Sequence, residues 1–164
     1  MYCNCPEKNV AFLTLLSLSV AYLEVQIEGS HGWAARLPTW RYKIGCIEVT
    51  GYHLALLSTL FLFAHLPFLL ISWSVSKECF ILSFLFTFLL FEDSIWFFLQ
   101  EKTIHHDPWR EPKFLGAPYF FFIAGTISLI TAYASSCKKW FVWTCVLILL
   151  LFFSYPFQTS PPSR

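Results

Sequence analysis

Charge is what this sequence has least of. Asp, Glu, Lys and Arg make up 13% of its 164 residues, about half of the ~25% usual in globular chains. The net charge of +1 lacks the basic excess that phosphate binding needs, so nucleic acid is excluded as a partner. No second cysteine pair follows Cys3-x-Cys5, and that spacing is too short for a zinc knuckle. The six cysteines (Cys3, Cys5, Cys46, Cys79, Cys137 and Cys145) therefore read mostly as free thiols. There is no HExxH and no series of histidine boxes, which leaves any metal site without a strong ligand-spacing signature. There is no GxSxG, and no Ser or Cys stands in a nucleophile context. No A-x-A pattern precedes Glu24, and Lys8 is offset by Glu7, so the first apolar run reads as a retained helix rather than a cleaved signal peptide.

What is present is apolar surface. Hydrophobic residues make up 57% of the chain and aromatics 20%, a share typical of lipid-facing and interfacial surfaces. Five runs stand out, at about residues 10–27, 51–75, 79–100, 118–135 and 140–157. Each has roughly the 18–20 apolar residues that span ~30 Å of hydrocarbon at ~1.5 Å per residue. None alternates as a barrel strand does, so helices are expected. The expected fold is all-α: an integral membrane helical bundle of about five transmembrane helices, forming a single unit over 1–157. A polar, proline-rich tail, 158–164, reads as disordered.

Connections alternate in length. Ser76-Lys77-Glu78 and Ser136-Cys137-Lys138-Lys139 read as tight turns on one face, side A. Glu28–Thr50 and Glu101–Ala117 read as long loops on the other, side B. Side B carries Arg36, Arg41, Lys43, Lys102, Arg110, Lys113 and Arg164; side A carries Lys8, Lys77, Lys138 and Lys139. The positive-inside count places side B in the cytoplasm. Free thiols at Cys3, Cys5, Cys79 and Cys137 place side A there instead, and the expectation leans to side A.

The ionisable residues converge on side B. Helix one ends with Glu24 and Glu28, one turn apart on one face. Helix two opens with Gly51-Tyr52-His53, and helix three carries Glu92 and Asp93 roughly 12 Å before its end, at ~1.5 Å per residue. His31 lies in the first long loop, and His105, His106 and Asp107 in the second. Acids inside an apolar 20-mer cost ~2.5–3.5 kcal/mol each on insertion scales, so they are rarely idle.

Three chemistries fit. Glu24, His53, Glu92, His105 and His106 form a candidate shell for zinc, iron or manganese. Glu92 or Asp93, with His53 or His105 beside it, is a candidate general acid or base acting on a lipid-like substrate. The structural alternative has buried acids paired with Arg36, Arg41 or Arg110, fastening the loops across the bundle mouth. Trp33, Trp40 and Trp109 read as interfacial anchors. His65, deeper in helix two, is expected to hydrogen-bond backbone freed by Pro67 near Phe63. Axial haem ligation is its sharper alternative, weakened by the lack of a second histidine at that depth.

The strings LEVQIEG, SHGWAARLPTWR, TGYH and EDSIWFFL together resemble an uncharacterised family of small polytopic bacterial membrane proteins, over about residues 23–110. The resemblance implies that Glu24, Glu28, His31, Trp33, Pro38, Trp40, Arg41, His53, Glu92, Asp93 and Trp96 occupy motif positions. It carries no activity to transfer, and it points to the bacterial inner membrane. The family's Trp-Trp-His run after helix three is replaced here by His105-His106-Asp107-Pro108-Trp109.

The function expected from these features is a membrane-embedded enzyme or binding protein for a lipid or apolar small molecule, with the bilayer as its immediate partner. The alternative is a non-catalytic assembly factor or complex subunit. A small transporter comes third, because the five runs show no internal repeat and only His65 lies near the midplane.

Overall fold

A computed structural model describes residues 5–29, 37–44, 47–100, 113–114 and 117–154. It is all-α, with two short hairpins in the long connections. Helix α1 spans Pro6–Glu28, α2 Gly51–His65, α3 Val75–Gln100, α4 Tyr119–Ala134 and α5 Lys138–Ser154. Strands β1 (Arg41–Ile44) and β2 (Ile47–Thr50) pair antiparallel before α2, with Arg41 opposite Thr50. Strands β3 (Lys113–Phe114) and β4 (Ala117–Pro118) do so before α4. Three segments are long and apolar enough to cross a membrane: Pro6–Glu28, Gly51–Leu69 and Val75–Leu99. Helices α4 and α5 have 16 and 17 residues, or about 24–26 Å of rise, a little short of a ~30 Å hydrocarbon core.

Helix boundaries depart from the sequence reading where proline and serine intervene. Proline suits the first position of a helix, because the N–H it lacks would have no internal partner there. Pro6 accordingly opens α1 several residues before the expected Val10. Pro67, by contrast, cannot donate back into α2. The α-helix stops at His65 and tightens into a 3₁₀ turn over Leu66–Leu69, where the Leu66 amide donates to Phe63 O. The link to α3 is therefore 70–74, and Ser76, Lys77 and Glu78 lie inside α3.

Helix α3 is the centre, packed chiefly against α1 and α4. One apolar core gathers Leu13, Phe80, Ile81, Phe88, Ala132 and Trp140; a second joins Leu90 to Phe121, Ala124 and Ile148. Between them runs a buried polar seam. Trp140 Nε1 donates to Ser83 Oγ at 2.9 Å, and Thr87 Oγ1 lies 2.6 Å from Ser128 Oγ, tying α3 to α4 and α5. Such interhelical hydrogen bonds suit a setting where the neighbouring solvent is itself apolar.

Helix α2 stands off. It has no buried residue and touches α3 only sparingly, although the short connection between the two predicts close packing. It is held at its ends instead. At the far end His65 Nε2 lies 2.8 Å from Glu78 Oε1, and Trp73 Nε1 donates to Glu78 Oε2 at 2.9 Å. His65 Nδ1 lies 2.7 Å from Phe61 O, so its backbone partner is Phe61 rather than the expected Phe63. Both ring nitrogens are engaged, which leaves no lone pair for a haem iron.

Cysteines also depart from expectation. Cys5, Cys79 and Cys145 are free, but Cys137, in the turn before α5, is disulfide-bonded.

Candidate functional site

The site is assembled where α1 ends and α2 begins. Glu24 and Glu28, one turn apart, both face inward and are only 7% and 6% exposed. Helix α2 reaches them because its first turn is unusually well anchored. A helix leaves its first amides without internal partners, and here three are met from outside or from the cap. Gly51 N donates to Trp40 O at 3.0 Å, Tyr52 N to Thr39 Oγ1 at 3.0 Å, and His53 N to Thr50 Oγ1 at 3.2 Å. Gly51 is required for this approach: a Cβ there would stand 2.5 Å from Trp40 Nε1 and 2.8 Å from Thr39 Oγ1. The Pro-Thr-Trp string and the Thr-Gly-Tyr-His string are thus two halves of one helix cap.

The cap aims His53. Its Nδ1 lies 2.6 Å from Thr50 Oγ1, and its Nε2 lies 3.3 Å from Glu28 Oε1. Two tautomers satisfy this geometry. If Thr50 donates to Nδ1, Nε2–H donates to Glu28. If Nδ1–H donates to Thr50, the Nε2 lone pair faces the carboxylates, the arrangement used by metal-ligating histidines.

Helix α3 supplies the opposite wall. Glu92, 5% exposed, brings its carboxyl against that of Glu24, a contact that a shared proton or an intervening cation satisfies. The Tyr52 hydroxyl approaches Glu24 from α2 without closing a hydrogen bond. Glu92 Oε1, Trp96 Nε1 and Tyr52 Oη are all buried without a hydrogen-bond partner among the described residues. Buried polar atoms are nearly always paired, so these three groups keep hydrogen-bonding capacity for a further partner. Glu92 and Trp96 line a cavity of about 410 Å³, with Glu24, Glu28, His53 and Asp93 at the same end and aliphatic and aromatic side chains beyond.

Glu24, Glu28 and His53 offer ligand atoms that all lie within 4.8 Å of one another. An ion with bonds of ~2.0–2.2 Å holds ligands up to ~4.4 Å apart, so side-chain movement of a few tenths of an ångström closes the set. Two oxygens and one imidazole nitrogen suit zinc, manganese or iron.

Of the residues singled out from sequence, Glu24, Glu92 and His53 meet here, and Asp93 lines the same cavity, half-buried. His105 and His106, with His31, Trp33, Arg36 and Arg110, lie outside the described residues. Glu28 is visible by its spacing from Glu24, but sequence alone does not put it in the metal shell, where it sits closest to His53. Thr50, Thr39 and Tyr52 escape the sequence reading. A threonine directly before Gly-Tyr-His is an N-cap signal, and only its second bond, to the imidazole, lies beyond reach.

Fold and site together define an all-α protein with a buried carboxylate–histidine cluster at one end of its helices. Compared with protein-family models, curated proteins and solved structures, the chain matches none of them.

Proposed function

We propose that this is an integral membrane protein of the bacterial inner membrane, a five-helix bundle whose cluster is a metal-dependent catalytic site for a lipid-like substrate. The observation that carries this reading is the buried Glu24–Glu28–His53 triplet, with ligand atoms within 4.8 Å of one another, beside the unpartnered Glu92 Oε1. Three protein ligands leave a coordination position open, the pattern of catalytic rather than structural sites. A divalent ion there would supply Lewis-acid activation of water or of a substrate carbonyl. Glu92, next to the triplet but not needed to complete it, is available to take or give the proton. Asp93 lines the mouth. In this reading Thr50 Oγ1 accepts from His53 Nδ1–H, the tautomer that leaves Nε2 for the ion.

The second reading, a non-catalytic subunit or assembly factor, is favoured by the direct His53–Glu28 contact, which fastens α1 to α2 without any ion. Elemental analysis of detergent-purified protein separates the two. Near-stoichiometric zinc, iron or manganese, lost in Glu28→Gln but retained in Glu92→Gln, is expected for the catalytic site. A folded, metal-free wild type, with Glu28→Gln lowering only stability, would establish the structural reading instead.

A further inference from the structure

We infer that the cavity at the cluster continues beneath α2 as one cleft, and that its occupant is a single-chain lipid with an uncharged head at the cluster and its chain threaded under the helix. The inference rests on the reading of the cluster as the working site and names the substrate class of that site.

The helix faces argue for continuity. A second cavity of about 540 Å³ lies under the far half of α2 and meets the first at Leu60, which lines both. On α1 a single stripe at four-residue spacing walls the whole length. Phe12 and Leu16 line the deep cavity, and Val20, Glu24 and Glu28 line the one at the mouth. Residues four apart are neighbours, so these five form one continuous ridge that winds gradually round the helix, apolar for three positions and acidic for the last two. The matching stripe on α2 runs His53, Leu57, Leu60, Ala64 and Pro67. The cleft is therefore acidic at the cluster and apolar beyond it, with Asn9 at its deep end.

The length suits one extended chain. From Glu28 to Phe12 is 16 residues along α1, or ~24 Å at ~1.5 Å per residue, longer than the ~15 Å of a single leaflet. Helix α2 crosses this cleft as a strap. It is pinned at one end by the Thr50 and Trp40 contacts and the His53–Glu28 pair, and at the other by His65–Glu78. Between those points Leu60 and Ala64 pack partly on the core and no residue is fully buried, so the cleft beneath it is only partly filled.

Charge selects the head. The carboxyl groups of Glu24, Glu28, Glu92 and Asp93 line the mouth with one imidazole among them, and no Lys or Arg stands among its described lining residues. An anionic head is repelled, whereas an uncharged ester or amide head offers a carbonyl to the open position and hydroxyls to the orphaned Glu92 Oε1 and Trp96 Nε1.

The test uses the full chain in nanodiscs and monopalmitoylglycerol carrying a diazirine at the end of its chain. Photolabelling is expected to concentrate on the peptides around Phe63–Pro67 and Phe80–Phe84. Leu60→Trp, at the junction of the two cavities, should cut that labelling by about tenfold, ~1.4 kcal/mol, while leaving metal content at the wild-type level. Ala64→Phe, in the deep half, should act alike if Leu60→Trp does not fold. Palmitate carrying the same tag should label these peptides far less. Labelling spread evenly over the lipid-facing surface, or unchanged in a folded Leu60→Trp protein, overturns the inference; metal in that same sample then leaves the reading of the cluster standing by itself.

Discussion

Thr50 performs two tasks with one hydroxyl. It accepts the His53 amide as the cap of α2 and holds Nδ1 of the same histidine. Removing it should separate into two measurable losses. Thr50→Val is expected to lower stability in detergent by about 1 kcal/mol, the usual cost of a lost N-cap. It should also weaken metal affinity by roughly 10–100-fold, as losses of outer-shell partners do. Thr50→Ser should restore both. A thermal melt beside a metal titration checks this, and a stability loss with unchanged metal affinity would reduce Thr50 to a cap. Gly51 belongs to the same device. Gly51→Ala places a methyl against Trp40 and Thr39, so the cap must open and the cluster should loosen with it.

At the scale of elements, α3 is central because it packs extensively on both α1 and α4 and also reaches α5, and its small polar residues allow that. Ser83 and Thr87 are fully buried and meet Trp140 and Ser128 across two interfaces. Trp140→Phe removes the indole donor and leaves the Ser83 hydroxyl with one fewer partner. The expected cost is about 1 kcal/mol, since interhelical hydrogen bonds in membranes contribute ~0.6–2 kcal/mol. Thermal unfolding in detergent measures it, and a much larger loss would mean that ring packing on Phe80 and Phe84 outweighs the hydrogen bond. Helix α2 is the contrasting element. Equally apolar, it gains nothing from such a seam and depends on polar contacts at its two ends.

For the whole molecule, two features bear on the orientation in the proposed membrane. Disulfides are favoured in an oxidising compartment, so the disulfide at Cys137 argues for the α4–α5 turn outside, against the lean drawn from free thiols. The basic count argues for the opposite face, with Arg41 and Lys43 in β1, in the cytoplasm. On the orientation we propose from these two, the cluster would open toward the cytoplasmic leaflet. A green fluorescent protein fused after α5 should fluoresce in cells, and a periplasmic reporter at the same point should be inactive. The reverse result would place the cluster on the outer side.

Sequence by itself determined the five apolar helices and the depth of their ionisable groups, because rise per residue is a local property that needs no neighbour. Glu24 and Glu28 on one face, and Glu92 two turns from the end of α3, follow from counting alone. Tertiary structure decided who meets whom. His53 pairs with Glu28 while Glu92 faces Glu24, a choice set by helix rotation and by a cap built from Thr39, Trp40 and Thr50. It also decided that α2 touches the core only through partly buried residues such as Leu60 and Ala64. Hydrophobicity cannot report this, because a helix facing lipid and one facing protein are equally apolar; only the positions of the other helices tell them apart.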